Sequence, residues 1–412
     1  MKIGTNSSVH LTYCTNIHPG EEWKEVFANL QKYLPVLKAQ LTPDSPFGIG
    51  LRLADRAARE LLESGVLAQF QDWLTQQDLY VFTLNGFPYG GFHGQVVKDQ
   101  VYAPDWSKPE RLDYTLRLAK ILASLLPEGM DGGISTLPLS YKPWWNPNQA
   151  SWESVLHNSS LHLAHVVAQM VCIREETGKL LHVDLEPEPD GLIENAAEVI
   201  IFFQEWLLPI GGTYLTQKLG ISQECAEDQL LEHVRVCYDT CHFAVEYENP
   251  DAVFARFQNV GIQIGKIQLS AALRVSLPNN SQERQTILDR LRPFAESTYL
   301  HQVIERHSDR TLHHYLDLVT ALPHLEQTNA EEWRIHFHVP IFISDYQLLQ
   351  STQEHIVTVL ELLRENPVCQ HLEIETYTWD VLPPPMKMDI LTSIQREYEW
   401  VLAAMRSLQF TV

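Results

Sequence analysis

The stretch VRVCYDTCHFAVEYENPD, residues 234–251, runs from a strand-like segment directly into Asp239, Cys241 and His242. Two readings of Asp239 are open. Asp after a strand is a favoured helix N-cap, because its side-chain oxygen accepts the first free backbone N–H groups. Equally, a carboxylate and an imidazole three positions apart at a strand end suit a cation or acid/base site. The choice depends on whether other strands end in similar residues.

Working outward, short β-type runs alternate with longer amphipathic patterns. The strands are expected at residues 2–9, 47–53, 79–85, 132–138, 180–186, 233–239, 265–270 and 371–376, with helical spacing of apolar residues between them. Strand then helix, repeated eight times, predicts a (β/α)8 TIM barrel, an α/β fold that routinely exceeds the average domain length when its loops carry insertions. The expectation is one domain over residues 1–412, with a helical insertion at 271–332 between the last two strands. After that insertion, WRIHFHVPIFIS (333–344) itself reads as a strand and competes for a place in the barrel.

Composition removes several function classes. The chain is 45% hydrophobic and 20% charged, as in ordinary globular proteins. It offers no run of about 20 uncharged apolar residues, so no membrane span is expected. The start, MKIGTNSSVHLTY, lacks the apolar core of a secretory signal, which leaves a cytoplasmic location as the expectation. A net charge of −22 with no basic stripe argues against nucleic acid. The six cysteines are scattered and read as reduced thiols; Cys237 and Cys241 have no second pair at zinc-finger spacing.

In a parallel barrel the carboxyl ends of the strands share one face. Glu186 and Glu188 end the fifth strand, Asp239 and His242 the sixth, and Glu375 the eighth; His336 and His338 come from the late segment. Their alternation puts both imidazoles on one side of a strand, which a two-ligand clamp requires and a solvated face also produces. Mixed carboxylate and imidazole donors suit a divalent metal: Mn, Zn, Mg, Co or Fe. The coincidence of these residues at one predicted mouth favours the metal reading over separate caps. Cys241 points by alternation away from Asp239 and His242 and is expected in the core.

VCYDTCHFAVEY resembles the Asp-Thr-Cys-His motif of the endonuclease IV and xylose-isomerase-like superfamily of metal-dependent TIM barrels, and IET at 374–376 resembles that superfamily's final Glu-Thr. The resemblance implies metal ligands at Glu186, Asp239, His242 and Glu375, and a further contribution from His336 and His338. Where the superfamily has a seventh-strand histidine, this chain has Gln268. The third- and fourth-strand histidines of the endonuclease branch are also missing, from FTLNGFPYGGFHG and GISTLPLSY. A three-zinc nuclease is therefore not expected; His93 is a conceivable replacement ligand. Taken whole, with TLNGFPYGGFHG and HVDLEPEPDG, the chain resembles the EboE-type metabolite traffic family of the bacterial ebo cluster. That implies a small-molecule substrate and other ebo-cluster proteins as partners. The expected activity is an isomerase- or epimerase-like reaction with Glu186, Glu375 and His242 catalytic, and with Tyr89, Phe92, Trp144 and Trp145 walling the substrate. The alternatives are a metabolite-handover protein and a two-metal phosphoesterase-like hydrolase.

Overall fold

The computed structural model describes residues 1–4, 9–346 and 348–410. Runs of buried residues become strands in chain order: β1 (Lys2–Ile3), β2 (Val9–Tyr13), β3 (Phe47–Arg52), β4 (Leu79–Asn85), β5 (Gly132–Thr136), β6 (Leu181–Leu185), β7 (Val234–Asp239) and β8 (Ile264–Leu269). An insertion then adds β9 (Ala271–Ser276), β10 (Val303–Arg306), β11 (Leu312–Tyr315), β12 (Glu332–Val339), β13 (Asp345–Tyr346) and β14 (Leu349–Ser351), before β15 (His371–Ile374).

The main sheet has nine strands in the order β1-β2-β15-β8-β7-β6-β5-β4-β3. From β2 round to β3 every pairing is parallel. A Cys14–Gly50 parallel bridge closes the sheet on itself. Thr12 supports that closure, donating to the Gly48 carbonyl at 3.0 Å and accepting from the Gly50 amide at 2.8 Å. The result is a TIM-barrel-type mixed sheet surrounded by helices, with nine strands where eight were expected. The ninth is β1, antiparallel to β2. The strand expected at 2–9 is thus divided: residues 2–3 form β1, residues 5–8 lie outside the described residues, and the barrel strand begins at Val9.

The insertion departs from its expected helical character. It holds one helix of length, Ser281–Leu291, but is organised around a six-stranded antiparallel sheet, β11-β10-β12-β9-β14-β13. Pro293, in the turn after that helix, lacks the amide a further helical turn needs, and the following Val303–Arg306 run pairs with β11 and β12 instead. The run at 333–344 therefore supplies β12 of this second sheet and no barrel strand, because β9 and β10 take both of its edges.

One helical run, Ala196–Leu219, is long and apolar enough by length and composition to cross a membrane. It carries Glu198, bonded to Lys142 at 2.9 Å, and buries Phe202, Phe203, Leu207 and Leu215 in the hydrophobic core. Those contacts make it a helix of the barrel's outer layer.

The barrel interior is not purely apolar. Lys266 and Glu373 form a fully buried ion pair, and Lys266 also donates to Ser135 at 3.1 Å. Below it His182 Nδ1 meets Asp184 at 2.6 Å, while Asp131 faces Arg235 at 3.0 Å and His371 at 3.3 Å. Space for these groups comes from glycine on the next strand but one. A Cβ at Gly50 would fall on Glu373, and one at Gly265 on Asp184.

Candidate metal centre

The two oxygens of Asp239 differ: one caps a helix and the other has no partner among the described residues. Oδ1 accepts from the Cys241 and His242 amides at 2.7 and 3.0 Å, capping the helix Thr240–Val245, and from Ser270 Oγ at 2.6 Å. Oδ2 is buried and has no hydrogen-bond partner among the described residues. The cap orients the side chain and leaves one oxygen for the mouth.

Glu186, Asp239 and Glu375 bring one carboxylate oxygen each within 4.8 Å of one another, all buried. Asn16 and Asn85 hold Glu375 Oε1, donating at 2.8 and 3.1 Å. Burial, reinforced by the charges of Asp239 and Glu188, pushes the Glu186 carboxyl well above its ordinary range; burial and then Glu186 and Asp239 do the same to Glu375. Three buried carboxylates at this spacing repel one another unless protons or a cation intervene.

The imidazoles are oriented as metal ligands are. His242 Nδ1 faces the Pro187 carbonyl at 3.2 Å, His338 Nδ1 the Glu375 carbonyl at 2.8 Å, and His336 Nδ1 the Gln302 side-chain oxygen at 2.8 Å. A carbonyl on Nδ1 fixes the proton there and presents the Nε2 lone pair. The Nε2 atoms of His242 and His338 then face each other at 3.4 Å, and His336 Nε2 is buried without a partner among the described residues. Burial, followed by neighbouring imidazoles, pulls His242 and His336 well below the usual histidine range, which keeps them in the neutral form that binds metals. Opposed lone pairs beside buried carboxylates fit a divalent cation.

The geometry groups these donors in more than one way: Asp239 with His242 and His338, and Glu188 with His242 and His336. Glu188 is held by the prolines on either side, whose carbonyls bond His242 and Gln302. Cys241 packs with Val245, Ala272 and Ile304, although its sulfur also lies within 4.8 Å of His336 and His338. Burial raises the Cys241 thiol well above its usual range. Gln268 is buried and accepts from the Cys237 thiol at 3.3 Å. His93 lies outside the donor groups, packed edge-on against Phe92.

Of the expected aromatic wall only Phe92 lines the chamber; Trp144 bonds Asp99, Trp145 bonds Ser140, and Tyr89 packs on Tyr114. The walls come instead from Phe87, Tyr102, Tyr299 and Tyr377. Asn16, Asn85, Tyr102 and Gln302 were not singled out by sequence reasoning. Their signal is weak, since uncharged residues at loop starts rarely stand out.

No family model matches the chain, and no curated protein matches it. Solved structures of similar trace include D-psicose 3-epimerase with D-tagatose from Clostridium cellulolyticum H10, at 13% identity, covering 97% of this chain and 99% of that one with a TM-score of 0.45. An IOLI protein with a bound zinc atom is 10% identical, with coverage of 97% and 99% and a TM-score of 0.46. The 3-keto-D-glucoside 4-epimerase from E. coli is 16% identical, covering 71% and 90% with a TM-score of 0.36.

Proposed function

We propose that this protein is a divalent-metal-dependent enzyme of isomerase or epimerase type acting on a small-molecule metabolite. The observation that carries the reading is the convergence of three buried carboxylates with three imidazoles whose Nε2 atoms face the same mouth. Glu186, Asp239 and Glu375, with His242, His336 and His338, are the residues that would hold the metal. A divalent ion there supplies Lewis-acid polarisation of a substrate carbonyl or hydroxyl. The chain's own groups would do the rest: Glu186 and Glu375 exchange a proton at the carbon beside that carbonyl, and His242 orients a substrate oxygen. Asn16 and Asn85 keep Glu375 in position from behind.

The sequence resemblance to the EboE-type family suggests a substrate in secondary-metabolite processing or traffic, with other ebo-cluster proteins as candidate partners. A two-metal phosphoesterase-like reading is favoured by one observation, the second donor group of Glu188, His242 and His336. Metal analysis of protein purified without chelator tests all of these. About one equivalent per chain, lost in Asp239→Asn together with turnover of an aldose and ketose panel, supports the proposal. Two equivalents with phosphoester cleavage support the hydrolase, and metal-free protein that still binds metabolite supports a handover role.

A further inference from the structure

The chamber over these donors is poor in positive charge. Among the described residues Lys98 is the one lysine or arginine in its lining, against the carboxylates of Glu186, Glu188 and Glu375, with Asp239 beside them. With all four ionised, a single divalent ion would offset two of the charges.

Lys98 is not free to offset more. Its ammonium contacts Asp317 Oδ2 at 2.6 Å, the Tyr299 carbonyl at 2.6 Å and the Glu296 carbonyl at 3.3 Å. An ammonium has three N–H donors, and three acceptors occupy them. Below the mouth Lys266 is committed to Glu373 and Ser135, and Arg52 is committed to Glu21 and the Gly20 carbonyl. The lining amides of Asn16 and Asn85 donate to Glu375 and that of Gln302 to the Pro189 carbonyl, so an anion entering gives up its hydration against few free donors. The chamber is partly open to solvent, and its cavity volume is about 60 Å³, room for about five waters at roughly 10–15 Å³ each.

From this we infer that the mouth selects a compact, uncharged hydroxy-carbonyl compound against its phosphorylated or carboxylated relatives, and that Asp317 enforces the selection by occupying Lys98. The inference rests on the isomerase-type reading for the kind of compound, and on the charge and hydrogen-bond inventory for its neutrality. With Asp317 neutralised, the Lys98 ammonium becomes the one group able to pair with an anionic substituent.

Equilibrium dialysis of the protein as purified, against labelled dihydroxyacetone and labelled dihydroxyacetone phosphate, tests it. The wild type is expected to retain the neutral compound at least tenfold better than the phosphate ester, and Asp317→Asn to raise retention of the ester at least fivefold. Equal or preferred binding of the ester by the wild type, retention of neither compound, or a folded Asp317→Asn variant with no gain would overturn the inference. The wild-type comparison decides by itself should that variant not fold. Dihydroxyacetone bound but never isomerised would sink the isomerase reading and leave the charge selection standing. Turnover of the phosphate ester would do the reverse.

Discussion

Asp239 caps a helix with one carboxylate oxygen and leaves the other unpaired among the described residues. Its capping oxygen and its free oxygen respond to different substitutions. Asp239→Asn keeps an acceptor for the Cys241 and His242 amides, whereas Asp239→Ala removes it, which costs about 1 kcal/mol at a helix N-terminus. Both variants are expected to lose metal affinity by about 100-fold or more, at or beyond the upper end for outer-shell partners. Calorimetry should therefore rank Asn above Ala in metal-free stability, while metal analysis finds both depleted. A second buried carboxyl, Glu397, accepts from Thr376 at 2.6 Å and is pushed up to about 8 by burial. Its folded value lies above the unfolded one near 4.3, so its stabilisation is complete below that pH and is lost as pH rises through about 8. Each tenfold in proton affinity is worth about 1.4 kcal/mol. Unfolding measured from pH 4 to 9 should show a decline that Glu397→Gln flattens. At this scale Glu186, Asp239 and Glu375 were legible because each follows an apolar run at the same end of the repeat. Glu188 was visible beside Glu186 but carried no separate geometric reason until Pro187 and Pro189 were seen to hold the segment.

Among the elements, the barrel strands were legible to within a few residues because seven of them carry the expected apolar runs. The insertion was not. A helix-forming sequence ends at Pro293 and a β-branched run follows, and no local pattern announces that β10 and β14 pair with β12 and β9 and carry β11 and β13 on their far edges. His336 and His338 were legible as a same-face pair through their alternation, while the sheet that holds them was not. The interior charges carried a signal that could have been used: Lys266 and Glu373 interrupt apolar runs, and Gly50 stands two strands from Glu373 where a side chain would collide with it. Removing one partner should be severe. Lys266→Met leaves the Glu373 carboxylate buried without its cation and is expected to destabilise by about 3–5 kcal/mol, while Lys266→Met with Glu373→Leu recovers part of that loss. Denaturant titration of the two variants measures the difference, and equal stability of the single and double variants would show that the pair is not coupled.

Across the whole molecule, the charge of −22 and the carboxylates crowded at the mouth mean that a cation bound there would add to the fold's stability. Metal present at about 100 times its dissociation constant stabilises the folded state by about 2.7 kcal/mol. Chelation should lower the melting temperature, and restoring one divalent ion per chain should return it. Asp131 sets an opposing acid limit. Burial alone would raise it, but His182 and His371 hold its carboxyl well below the usual range, so its contribution is present above about pH 4 and fails as pH falls below that.

The position of β15 has a consequence for how the protein is made. This strand lies between β2 and β8 in the barrel, yet it begins only at His371, and Glu375 follows it directly. During synthesis the earlier strands can form only an open sheet, with the mouth carboxylates short by one and the Asn16 and Asn85 amides lacking their acceptor. The donor set thus closes only once His371–Glu375 has been made, and a cation held by all three carboxylates would be held by the closed barrel alone.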